Sequence, residues 1–287
     1  MMKNRNNTHY YLLSIFLLSL FIFSSFLAGC GDKEERDVIN YISDLGSTDY
    51  LDRMAAAQSL VDEAGKIDVI AVPYLIIALQ DTRNEIRRSA AQSLGNIRDD
   101  SSIPALIAGL DQESDEVRYD CIVALGEFDD PRVHAPLLAL VDDDSSYVRW
   151  ATAESLGKLK VQKAFPDLIA GLKDSSSYVR SASAKALGKL GNKAAIPKLR
   201  STIYNPNLWV RNAAALALSR LGDKDGVPIL LMNLGSKARD KKGTVRGQAV
   251  EFLREISGKR FGFNPKAPPA KRKAAIKRWE NWWEENK

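Results

Sequence analysis

Histidine and cysteine are nearly missing from this chain of 287 residues, with two of each. His9 and His134 lie far apart, and no His-Glu dipeptide occurs, so a metal site built from repeated histidine–glutamate pairs is excluded on ligand count. Cys30 and Cys121 sit in unlike surroundings and offer no disulfide framework. The chain also lacks a glycine-rich phosphate loop, a Ser-His-Asp set, or any carboxylate pair that stands out among its 36 acids. Long apolar runs are missing everywhere except residues 10–26. These absences point away from a single catalytic pocket.

What is present is a lattice. Arg87, Arg118, Arg149, Arg180 and Arg211 lie 31 residues apart, each after an aliphatic residue and seven before a leucine, at Leu94, Leu125, Leu156, Leu187 and Leu218. A period this strict marks an array of one supersecondary unit. Within it Val148, Ala151, Thr152, Ser155 and Leu156 fall at i, i+3, i+4, i+7 and i+8, the stripe of an amphipathic helix. Pro73, Pro104, Pro166, Pro197 and Pro228 lie on the same lattice, with Pro136 displaced by one, and each opens a short apolar helix. Ser114, Ser145, Ser176 and Asn207 are N-cap candidates for the arginine-bearing helix. Gly95, Gly126, Gly157 and Gly188 come late in that helix, where they loosen its end or admit a close neighbour. Cys121 fills the slot of Ala90, Thr152, Ser183 and Ala214 and reads as a small core residue.

A short helix, an aspartate-bearing turn and then Val-Arg-x-x-Ala-x-x-Ala-Leu-Gly resembles a HEAT repeat of the short bacterial type, also called PBS-lyase HEAT-like. The match covers about seven units over residues 36–256. The first unit carries three extra residues before Pro73, and the last carries four more in its turn, so Arg246 falls 35 after Arg211. The resemblance implies an all-α solenoid in which the arginine-bearing helix lines the concave face. It also implies that this arginine bonds the turn aspartate in a ladder between units, with Asp81, Asp111, Asp143, Asp174 and Asn205 as candidates, which removes the arginine from the list of sites. Among similar proteins are deoxyhypusine hydroxylase, whose resemblance implies a His-Glu metal site this chain lacks, and phycobilin lyases.

Slots one and five after the arginine are expected to face outward. They hold Arg88 and Gln92, Tyr119 and Val123, Trp150 and Glu154, Ser181 and Lys185, Asn212 and Leu216. Their variation against a fixed core lattice is the pattern of a recognition surface on a repeat scaffold, and also of neutral drift. Tyr147, Tyr178 and Trp209 form a second aromatic ladder, which either staples each turn to the next unit or serves as interface anchors.

The two ends differ from the body. Residues 1–29 carry Lys3, Arg5, the apolar run and then Leu27-Ala28-Gly29, a targeting segment rather than part of the fold. With Cys30 these residues resemble the lipobox of bacterial lipoproteins, which implies removal of 1–29 and diacylation of Cys30. An uncleaved transmembrane anchor is the alternative. Residues 30–35 are then the lipidated cysteine and a short tether. Gly31, rather than aspartate, follows Cys30, which favours the outer over the inner membrane.

At the other end, residues 257–287 form a basic, tryptophan-rich module. Residues 235–287 hold 15 Lys or Arg against 6 Asp or Glu, and residues 31–234 hold 24 against 30. Phe261-Gly262-Phe263-Asn264-Pro265 and then Ile276, Trp279, Trp282 and Trp283 resemble a tail of bacterial HEAT-repeat proteins, which usually have Tyr-Asp at 263–264. The aromatics either cap the bare last face of the solenoid or form a binding site. The expectation is a lipid-anchored, non-catalytic envelope scaffold that binds a protein or peptide on its concave face, without cofactor, metal, nucleic acid or small-molecule substrate. Attachment of the basic end to anionic lipid is the alternative, and a lyase-type enzyme the remote one.

Overall fold

Proline fixes φ and gives up an N–H that the first turn of a helix does not use. The computed structural model, which describes residues 40–41, 43–63, 71–235 and 244–287, follows that rule. Fourteen α-helices occur among the described residues: α1 (Tyr50–Glu63), α2 (Val72–Ala78), α3 (Asn84–Ile97), α4 (Ile103–Ala108), α5 (Asp115–Leu125), α6 (His134–Leu138), α7 (Ser146–Lys158), α8 (Phe165–Gly171), α9 (Ser177–Leu190), α10 (Ile196–Thr202), α11 (Leu208–Arg220), α12 (Gly226–Leu234), α13 (Thr244–Ser257) and α14 (Pro269–Asn286). Pro73, Pro104, Pro166 and Pro197 open α2, α4, α8 and α10. The leader and Cys30 lie outside the described residues, and none of the described helices is long and apolar enough to cross a membrane.

The arginine-bearing helices α1, α3, α5, α7, α9, α11 and α13 stack in sequence, and each short helix packs on the long helix that follows it. All five lattice leucines are wholly buried, as are Val117, Val148 and Val210. Glycine permits the tight stacking. A Cβ on Gly157 would stand 2.5–2.6 Å from Ala186 in the next unit, and one on Gly95 would stand 2.7 Å from Ala124 Cα, closer than carbon atoms approach. Of the two uses expected of these glycines, close approach is the one observed. The array is tightest along the arginine-bearing helices, the layer expected on the inside of the curve.

The turn aspartate does two tasks. Asp174 Oδ1 accepts the Ser176 amide at 2.7 Å, and its carboxylate takes Arg149 Nε and Nη2 from the preceding unit at 2.8 and 3.0 Å. Asp143 does the same with the Ser145 amide and Arg118, and Asp81 with the Arg83 amide and Arg53. Burial would raise the Asp174 carboxyl, but the bonds from Arg149 and Ser176 outweigh it and hold it below the usual carboxylate range. Each arginine also clamps its own turn: Arg149 Nη1 donates to the Asp143 and Asp144 carbonyls.

Three expectations need correction here. Asp111 is not part of the ladder; the position 25 residues after Arg87, matching Asp143 and Asp174, is Gln112, because the lattice aspartate is shifted by one. Ser145 and Ser176 occupy N-cap positions with extended backbone, but their hydroxyls do not cap; that of Ser145 donates instead to Asp115 of the preceding unit at 2.7 Å. Ser114 and Asn207 do cap, accepting from the amides of Val117 and Val210. Cys121 is the buried core residue its slot implied, and burial pushes its thiol up to about 12.

Candidate functional site

A residue one position after the lattice arginine lies on the inner layer, and what it meets depends on how closely the next long helix approaches. In the second to fourth units the slot is open. Tyr119 on α5 and Trp150 on α7 are half-buried, with ring centroids 5.7 Å apart and planes tilted by 40°. Trp150 in turn meets Tyr178 on α9 at 5.8 Å and 42°. The two aromatic ladders expected from sequence therefore join into one run of three rings across three units. Tyr178 touches the neighbouring unit through Trp150, yet its ring stays 66% exposed, and Tyr147 is 61% exposed. The stapling role is thus not what these tyrosines mainly do.

Polar side chains flank the run. Arg88 Nε and Gln92 Nε2, both expected at the surface, converge on the Asp120 carboxylate at 2.7 and 2.9 Å. Asp120 is buried, and its hydrogen bond holds the Arg88 guanidinium above its ordinary value. On the other side Glu154 and Lys185 pair at 3.5 Å between α7 and α9. Burial, aided by Glu154 and Asp120, raises the Tyr119 hydroxyl, and burial followed by the Arg220 charge lowers the Lys189 ammonium. Val123 is exposed beside them.

Beyond α9 the surface assignment fails. Asn212 is wholly buried: its Nδ2 donates to the Val245 carbonyl at 3.0 Å and to Gln248 Oε1 at 3.1 Å, and its Oδ1 accepts from Asn233 at 2.6 Å. Leu216 is buried as well, and Ser181 nearly so. Asn212 thereby ties α11 to α12 and α13, and the buried side chains at these slots present no surface to a partner. Sequence reasoning missed Asp120 and Tyr178 as members of the site. Asp120 left a signal, since it breaks a slot otherwise held by Ser89, Ala151, Ala182 and Ala213.

The C-terminal aromatics divide. Trp279 is fully buried and Phe263 nearly so, with Phe261 packed edge-on to Trp279 at 4.7 Å, and α14 rests on α12. These residues cover the end of the core and are closed to ligand. Trp282 and Trp283 stay partly exposed, their centroids 6.3 Å apart. No group of three or more His, Cys, Asp or Glu able to hold a metal ion is found among the described residues.

Comparison with known proteins agrees with this geometry. No curated protein matches the chain. Among solved structures it is similar to the complex of CpcE and CpcF of phycocyanin lyase from Nostoc sp. PCC7120, at 22% identity over 84% of this chain and 94% of that one, with a TM-score of 0.56. It is also similar to YibA of Escherichia coli, at 21% identity over 87% and 98%, with a TM-score of 0.53. At these identities the likeness is one of fold. The family model described as HEAT repeats matches residues 38–122, 103–177 and 165–254, most of the chain, and the chain belongs to the HEAT-repeat family.

Proposed function

We propose that this chain is a non-catalytic scaffold of the bacterial cell envelope, anchored by lipid on Cys30, that holds a protein or peptide partner against the inner face of its solenoid. The outer membrane is its expected location, since Gly31 follows the lipidated cysteine. The observation that carries the partner-binding reading is the run Tyr119–Trp150–Tyr178, three contiguous rings crossing three units with Val123 exposed nearby. Large, rigid, partly exposed aromatics are frequent anchors of protein interfaces. They are flanked by a fixed acid–base pair on each side, Arg88–Asp120 and Glu154–Lys185, which supply register and charge selectivity. The core below repeats while these side chains do not, which is how one scaffold comes to fit one partner.

The test is in-cell crosslinking from a photoreactive residue at Gln92, in wild type and in the double variant Tyr119→Ala, Trp150→Ala. The double variant should lose the crosslinked species at least tenfold while its level in the envelope stays unchanged. Equal crosslinking would remove the inner face from the assignment. Anchoring is tested separately: acyl labelling should vanish in Cys30→Ser, and labelling that persists would refute the lipid anchor.

A further inference from the structure

The cap uses its two kinds of basic residue differently. Two of its three arginines, with those of α13, fasten the loop at 258–268 to the helices: Arg278 donates to the Phe261 carbonyl at 2.8 and 3.1 Å, Arg272 to Ala267 at 2.5 Å, Arg246 to Pro265 at 3.3 Å and Arg254 to Phe263 at 3.5 Å, while Arg260 is exposed and makes no such bond to a described residue. Planar guanidinium donors suit that task. The lysines do nothing comparable. Lys259, Lys266, Lys271 and Lys273 are exposed and make no ion pair with any described residue, and Lys277 has only Glu280 at 3.8 Å.

Nor does helix stability account for them. In α14 the positive charges, Lys271, Arg272, Lys273, Lys277 and Arg278, precede the negative ones, Glu280, Glu284 and Glu285. A helix prefers the opposite order, because its amino end already carries partial positive charge. Charge placed against a local preference without internal compensation is placed for something outside the fold. The loop that carries Lys259 and Lys266 is fastened to α14, because Phe261 packs on Trp279 and Arg278 donates to the Phe261 carbonyl.

We propose that these exposed cap lysines contact anionic lipid headgroups, so that the C-terminal end of the solenoid lies against a membrane. Separate, strongly hydrated point charges on flexible stems fit a fluid anionic surface better than one shaped carboxylate pocket. Partly exposed Trp282 and Trp283 belong to a side-chain type enriched at membrane interfaces. Preferring lipid over an acidic protein rests on the proposed anchoring at Cys30; the inner-face site plays no part.

The experiment is lysine footprinting by acetylation on the full chain, mixed with vesicles of phosphatidylcholine alone or with added phosphatidylglycerol. With phosphatidylglycerol at low salt, Lys259, Lys266, Lys271, Lys273 and Lys277 should react about fivefold more slowly, the effect expected of one charge at such a surface. High salt should restore the rates, and Lys173 and Lys198 on the body should not change. The variant Lys271→Glu, Lys273→Glu, Lys277→Glu should release Lys259 and Lys266 as well. Equal rates in both vesicles would overturn the proposal, and so would protection by polyglutamate but not by phosphatidylglycerol, which would point to an acidic protein. Flotation with phosphatidylcholine alone reports on the lipid anchor, so the two readings fail separately.

Discussion

Trp150 and Asn212 occupy the same position of the repeat two units apart, yet one presents an indole to solvent and the other is an amide sealed in the core. The backbone lattice is the same at both. What differs is the following helix: α9 meets Trp150 with the largely exposed Tyr178, whereas α13 brings the Val245 carbonyl and Gln248 onto Asn212. The first part of the inner layer is thus available as a surface, and the last part is spent on cohesion. In a stacked array each unit is stabilised by its neighbours, so these two uses of one position compete directly.

The comparison breaks most severely where both parts depend on the same spacing. Gly157→Val puts branched carbon into a site where a single Cβ already stands 2.5–2.6 Å from Ala186. The α7–α9 contact must open, at a cost of about 3 kcal/mol or more. Urea denaturation should show that loss, and the Trp150–Tyr178 contact, which spans the same two helices, should go with it.

Next in size is the sealed position itself. Asn212→Ala strands the Asn233 amide in the core, a loss of about 2 kcal/mol. Trp150→Ala, at the same slot in the open part, should cost no more than about 1 kcal/mol, because a half-buried ring surrenders only part of its apolar contact. A reversed order in urea midpoints at constant m-value would show that the two parts of the layer are not distinct.

These contrasts mark how far the sequence could be read. The leucine lattice, the prolines and the glycines are periodic, and periodic burial follows from helix geometry alone, so the solenoid was legible before any coordinates. Asn212 was not, because its burial comes from Val245 and Gln248 on α13, whose arginine falls 35 rather than 31 residues after Arg211. Asp120 was half legible: an acid in a slot of small residues asks for a partner, and Arg88 and Gln92 stand one unit earlier, but only stacking shows that they reach it. Tyr178 was read as part of a separate ladder, because its contact with Trp150 one unit earlier is set by how the units stack and not by spacing within a unit.

The smallest effect concerns the arginine–aspartate ladder, which is interrupted at Arg87, where Gln112 stands, and again at Arg180. Arg180 clamps its own turn through the Asp174 and Ser175 carbonyls as Arg149 does, yet the residue 25 positions on is Asn205 where Arg149 has Asp174, and its Nε is buried without a partner. Asn205 already accepts the Asn207 amide at 3.0 Å, so the backbone there has the shape the aspartate turns have. Asn205→Asp should therefore complete the rung and stabilise the chain by about 0.5 kcal/mol at neutral pH, the scale of a partly exposed pair. The sign with pH follows from the intact rung at Asp174, whose carboxyl is held below its ordinary value in the fold. A group lowered on folding contributes above its unfolded pKa and loses that contribution as the pH falls through the folded one. The gain from Asn205→Asp should accordingly be present at neutral pH and vanish in strong acid, as compared by urea midpoints of the two proteins at both pH values. A gain that persists in acid would mean that the aspartate acts through its turn geometry rather than through Arg180.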